Sequence, residues 1–182
     1  MTQNAATVDP VAILVTSMVF GYGGNSYGPD RVYTMLETPN VEQCCDEIFA
    51  AAQDGPENGF AALYEDKMKT RVTNLGASMG SKYLYFGSSS LMDSSRSLIN
   101  DENVFHAMRA LGFDDSADPE LAYTEQYVRA VRWMHKAAVD VNNRGDVKRS
   151  IGGDDVEFAL FQYANWKRRS DRLEGIEARE RR

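Results

Sequence analysis

Lys82 and Asp101 stand nineteen residues apart, each at the head of an apolar run, "KYLYFG" and "DENVF". A lysine amine becomes a nucleophile once it is neutral, and a carboxylate beside it can move protons or steady developing positive charge. If Gly80-Ser81 opens a helix, the charge of Lys82 lies near the positive end of the helix dipole, a mismatch of roughly 0.3–1 kcal/mol. Desolvation and that dipole would both push a buried amine towards its neutral form, so a costly placement becomes a useful one. Each residue also has an ordinary reading: a solvated lysine, and a plain N-cap following Asn100. The other chemistry-bearing residues say less. His106 and His135 lack partners at ligand spacing and read as structural or surface groups. Cys44 and Cys45 are adjacent, which suits neither a bridge between them nor a metal site, so no metal and no cofactor are expected. Glycines at 21, 23, 24 and 28 fit neither a P-loop nor a dinucleotide fingerprint, and residues 21–31 read as a loop.

The elements that must position these residues are helical. Asp9-Pro10 is a cap-plus-N1 pair for a first helix, "VAILVTSMVF", with Gly21 as its stop. Val41, Cys44, Cys45, Ile48, Phe49 and Ala52 fall at helical spacing. Phe60, Leu63 and Tyr64 begin a further helix after "DGPENG", a connector "NLGASMG" covers 74–80, and the segment carrying Lys82 follows. Val104, Phe105, Met108 and Leu111 form a stripe that Gly112 ends. A long helix is predicted over 118–141, capped by Asp118 with Pro119 at N1 and with Trp133 in the core; the last is "DDVEFALFQYANWKRR". Strand patterns are nearly absent. The fold class is all-α, with about eight short helices in a single domain over residues 1–182.

Composition narrows the partners. The chain has 182 residues, 43% of them apolar, enough to bury a core, and no apolar run approaches the roughly 20 residues that span a bilayer. The start, "MTQNAATVDP", lacks the basic n-region of a signal peptide, so the expected location is the cytoplasm. The net charge is −7, which argues against holding nucleic acid by bulk attraction alone. Residues 166–182 nevertheless hold seven basic and four acidic side chains, a surplus of +3, so the rest of the chain carries −10. Any polyanion site must be local.

The stretch "FAALYEDKMKTRV-TNLGASMG-SKYLYFG" spells helix, glycine-containing turn, helix, which aims backbone N–H groups at a phosphate. With "SMGSK" and "LINDENV" at their nineteen-residue separation, the sequence resembles the helix-hairpin-helix DNA glycosylases, specifically the 8-oxoguanine branch. That family has a hairpin Gly-Val-Gly-Thr-Lys with a nucleophilic lysine, and an aspartate nineteen residues on. The resemblance covers roughly residues 55–170 and implies an all-α, helix-hairpin-helix glycosylase-like bundle with its hairpin at about 60–90. It gives Lys82 the role of nucleophile at C1′ and Asp101 that of catalytic carboxylate. Ser78, Gly80 and Ser81 of the hairpin would meet DNA phosphate, together with Lys167, Arg168 and Arg169 of the tail. The family's last helix has a base-reading glutamine and, four residues on, a stacking phenylalanine; "VEFALFQYANW" offers Glu157 and Phe161. Phe86 stands where the family has a cysteine against the base, so two aromatics could clamp it. The partner implied is duplex DNA with a flipped modified base, and the activity is glycosylase with AP lyase. A catalytically silent protein of this fold that binds nucleic acid or a protein partner is the alternative, favoured by the acidity and the degenerate hairpin. A plain helical interaction module would leave the position of Lys82 unexplained.

Overall fold

A computed structural model describes residues 9–23, 26–65, 69–92, 95–113, 122–145 and 147–180. They form eight helices: α1 (Pro10–Tyr22), α2 (Gly28–Leu36), α3 (Val41–Gln53), α4 (Pro56–Ala62), α5 (Ala77–Gly87), α6 (Glu102–Ala110), α7 (Ala122–Arg144) and α8 (Gly153–Glu180). The all-α expectation holds. Among the described residues β pairing is confined to one bridge, Tyr64 to Thr70. No helix among them is long and apolar enough to cross a membrane.

Local sequence explains most boundaries. Asp9 caps α1, its Oδ1 accepting from the N–H groups of Val11 (2.9 Å) and Ala12 (3.3 Å), with Pro10 where its missing N–H costs nothing. The stop is not Gly21. The helix runs on to Tyr22 and ends at Gly23, whose φ of 53° a side chain would disfavour. Part of the expected loop is also helix: α2 begins at Gly28, with Pro29 in its first turn. α8 extends past the predicted end at 169 to Glu180, and the predicted cap Asp118 with Pro119 lies outside the described residues.

α1 packs on α5 and α3, α3 on α4, α4 on α7, α7 on α8, and α8 on α6. Leu14, Met18, Ile48, Phe60, Leu84, Met108, Tyr127 and Met134 fill the centre, with Phe60 and Tyr127 stacked at 4.2 Å. Burying each of the aliphatic side chains contributes about 1.5–3 kcal/mol before entropy is counted. Trp133, expected in the core, is half-buried against it.

The largest correction concerns the hairpin. α4 ends at Ala62, and the described residues before α5, 63–65 and 69–76, are not a helix followed by a tight turn. They fold back on themselves, Glu65 N–H donating to the carbonyl of Lys69 (2.8 Å) and Arg71 N–H to that of Leu63 (2.9 Å). Leu63, Val72 and Leu75 are all fully buried by this return, and burying three apolar side chains outweighs continuing one helix. α5 then starts at Ala77, so Gly80 and Ser81 lie inside it rather than at its head.

Candidate functional site

Lys82 is the sixth residue of α5, in its second turn, beyond the first-turn reach of the dipole. What makes its position unusual is burial. The residue is 6% exposed, and its Nζ has three oxygens nearby: the Ser78 carbonyl (3.3 Å), Ser78 Oγ (3.4 Å) and Asp101 Oδ2 (3.5 Å). One side of its stem is occupied by α1 backbone. A Cβ added at Gly21 would lie 2.9 Å from Lys82 Cδ and 2.8 Å from Met79 Sδ, so Gly21 serves close approach rather than helix termination.

Asp101 holds two positions at once. Its Oδ1 accepts from the N–H groups of Asn103 (3.0 Å) and Val104 (3.1 Å), capping α6, while Oδ2 faces Lys82. The capping and lysine-pairing readings are both realised, one per oxygen. Nineteen residues are bridged by a strut, the non-helical segment 96–101. Ser97 N–H donates to Ser88 Oγ (3.0 Å) and Asn100 N–H to Ser81 Oγ (3.1 Å), tying the strut to one face of α5 at two points seven residues apart. The Leu98 carbonyl accepts from the Tyr127 hydroxyl (3.0 Å), and His135 Nε2 lies 3.0 Å from the Arg96 carbonyl. His135 is thus structural, and exposed His106 pairs with Glu102.

Glu157, on α8, completes the cluster. It is half-buried, and its carboxyl makes no hydrogen bond or ion pair with the described residues. Burial pushes this carboxyl up to about 7, with Asp101 and Asp154 adding to the shift and Lys82 opposing it. Asp154 is engaged by Arg96 Nη1 at 3.5 Å; Arg96 also donates from Nη2 to the Ser89 carbonyl (2.8 Å) and lies 5.8 Å from the Tyr85 ring centroid. The Tyr85 hydroxyl is raised by burial and then by Asp154.

Phe86, one turn after Lys82, is half-buried and meets Phe20 edge-on at 5.4 Å and Tyr85 at 5.3 Å. Phe161, one turn after Glu157, packs against the core. Of the hairpin residues, Ser78 is exposed, whereas Gly80 and Ser81 are buried. Gly80 N–H is taken by the Gly76 carbonyl (2.7 Å), and a Cβ there would strike Leu63 Cδ1 at 2.5 Å. The free N–H groups of a helix belong to its first turn, so any phosphate contact moves from 80–82 to 77–79, where Gly76 provides no side-chain cap. Lys167, Arg168 and Arg169 are exposed on α8. The first two line a groove of about 450 Å³ with Glu102, Asn103, His106 and Tyr163, opening from the α6 end that Asp101 caps.

Sequence reasoning did not single out Phe20, Tyr85, Arg96 or Asp154. One signal was legible: a glycine between aromatics, "VFGYG", within an otherwise regular apolar helix. Among the described residues no group of three or more His, Cys, Asp or Glu side chains is arranged to hold a metal ion.

No curated protein and no solved structure matches the chain. The model of the family described as "Putative 8-oxoguanine DNA glycosylase OGG-like protein" matches residues 1–161. The chain belongs to that family.

Proposed function

From that membership, we propose that this protein is a DNA glycosylase with AP-lyase activity that removes an 8-oxoguanine-like base in the cytoplasm. The observation that carries the reading is the meeting of Lys82 and Asp101 at 3.5 Å, both shielded from water, from opposite ends of a nineteen-residue span. An isolated surface lysine needs neither a glycine cut away for its stem nor a strut to deliver its carboxylate.

The chemistry runs as follows. The damaged base leaves the stack, because its glycosidic bond is out of reach inside the duplex. Lys82 gives up a proton to water, and neutral Nζ bonds to C1′ as the C1′–N bond breaks, its electron pair leaving with the base. Asp101 stabilises positive charge on the sugar during that step. Ring opening gives a Schiff base between C1′ and Nζ; loss of a C2′ proton then expels the 3′-phosphate by β-elimination. Phe86 and Phe161 stand one turn beyond Lys82 and Glu157, suited to the two faces of a flat base, with Glu157 at its edge. Ser78 with the first-turn N–H groups of α5, and Lys167, Arg168 and Arg169, would take the phosphates.

The test is covalent trapping. Duplexes carrying single lesions, treated with borohydride, should give a protein–DNA adduct with wild type and none with Lys82→Gln at unchanged folding. No adduct and no abasic product on any lesion would replace the reading with that of a non-excising binder.

A further inference from the structure

Building on the glycosylase reading, we propose that Glu157 is the site's proton donor, protonating the departing base while Asp101 serves as the charge stabiliser. The cluster holds more acids than cations. Lys82 faces Asp101, and Arg96 faces Asp154, so two cations are matched by two carboxylates. Glu157 is the odd acid. Its charged form would add an uncompensated anion to a half-buried cluster, without a hydrogen bond to any described residue. Withdrawing a carboxylate from water without a partner is costly, and taking up a proton relieves that cost.

Every neighbour points the same way or is already engaged. Lys82 comes from α5, Asp101 from the head of α6, and Asp154 from α8 itself; the hydroxyls of Tyr85 on α5 and Tyr127 on α7 also feel the Glu157 charge. Lys82, the one cation acting directly on Glu157, already has Asp101 at 3.5 Å, and the Tyr127 hydroxyl already donates to the Leu98 carbonyl. Asp101 differs: two backbone N–H groups and an amine satisfy its oxygens. One carboxyl of the site is partnered on both oxygens and the other on neither, the kind of difference in environment that separates a charge stabiliser from an acid. Burial holds Glu157 at about 7, which suits proton donation near neutrality.

The step balances. As Nζ bonds to C1′, the electron pair of the C1′–N bond passes to the base, and the Glu157 proton follows it onto the base edge. The base leaves neutral. Glu157 is left as a carboxylate and recovers its proton from water, while the nitrogen now bound to C1′ passes one to Asp101 as the Schiff base forms.

Glu157→Gln tests this with two substrates. On a lesion-bearing duplex, base release should fall by about 10²–10⁴-fold across the pH range. On duplex with a pre-formed abasic site, which has no base to protonate, borohydride trapping through Lys82 should stay within about twofold. Wild-type base release should decline above about pH 7 while abasic trapping does not decline with it. If Glu157→Gln releases the base like wild type, the proton-donor assignment is overturned and the lysine chemistry stands. If wild type traps on neither substrate, the glycosylase reading itself has failed.

Discussion

Two lysine–aspartate pairs in this protein have the same chemistry and opposite character. Lys136 and Asp140 sit one turn apart on α7, 2.6 Å from each other, with side chains 71% and 49% exposed. Lys82 and Asp101 are nineteen residues apart and 3.5 Å from each other, with side chains 8% and 16% exposed. Distance alone would rank the α7 pair stronger. Neither pair is a strong stabiliser: an exposed i,i+4 pair contributes about 0.3–0.5 kcal/mol, and burying two charges costs several kcal/mol that their attraction must offset. The α7 pair follows from helix geometry. The Lys82 pair exists because the fold forces it, so a function for it is the better explanation.

That contrast can be broken or sharpened by substitution. The largest stability effect is expected from Asp101→Ala, which leaves a buried ammonium without its carboxylate and α6 without its cap. About 3–5 kcal/mol should be lost on denaturant unfolding, while Lys82→Met should lose less, about 1–3 kcal/mol, because the cap on Oδ1 survives and only Oδ2 loses its partner. Equal losses for the two variants would remove the asymmetry on which the comparison rests.

Glu157 should leave a signature in the pH dependence of stability. Its folded carboxyl is raised from 4.5 to about 7, so the native state binds the proton more tightly than the unfolded chain. The associated stability is fully present below about pH 4.5 and is lost as the pH rises to about 7, amounting to about 2–3 kcal/mol. Glu157→Gln should flatten that slope when unfolding is followed between pH 4.5 and 8. An unchanged slope would mean the group titrates normally.

Gly21→Ala separates positioning from stability. A methyl there must displace Met79 Sδ and Lys82 Cδ, both in flexible side chains, so the melting temperature should move by only a few degrees. Adduct formation should nevertheless slow by about tenfold or more, since a nucleophile displaced by a fraction of an ångström loses its approach. The smallest effect belongs to the exposed pair: Lys136→Ala should change unfolding free energy by no more than about 0.5 kcal/mol and leave trapping unaltered.

How much of this was legible in the chain varies from element to element. Asp9-Pro10, the stripe from Val41 to Ala52 and the run after Asp101 gave three helices correctly, because caps and period are local signals. The stretch 63–76 was misread, because apolar spacing there suits a helix as well as it suits burial of Leu63, Val72 and Leu75 by a chain that turns back. α2 was hidden inside a glycine-rich stretch whose Gly28-Pro29 begins a helix rather than a loop. At the site, residue types and one spacing pointed to Lys82 and Asp101, and the family resemblance to Glu157. The purpose of Gly21, marked in the chain only as a glycine between aromatics, is visible only against the lysine stem, and Arg96 matters only through Asp154.

The sequence by itself determined the helical class, the capping role of Asp101 and the pairing candidate nineteen residues before it, since period and cap are properties of neighbours along the chain. Tertiary structure alone decided that Lys82 is withdrawn from water, that its carboxylate comes within reach, and that Glu157 joins them without a partner. Burial and charge balance depend on which distant segments share a volume, and only packing brings α1, α5, α6 and α8 to one place.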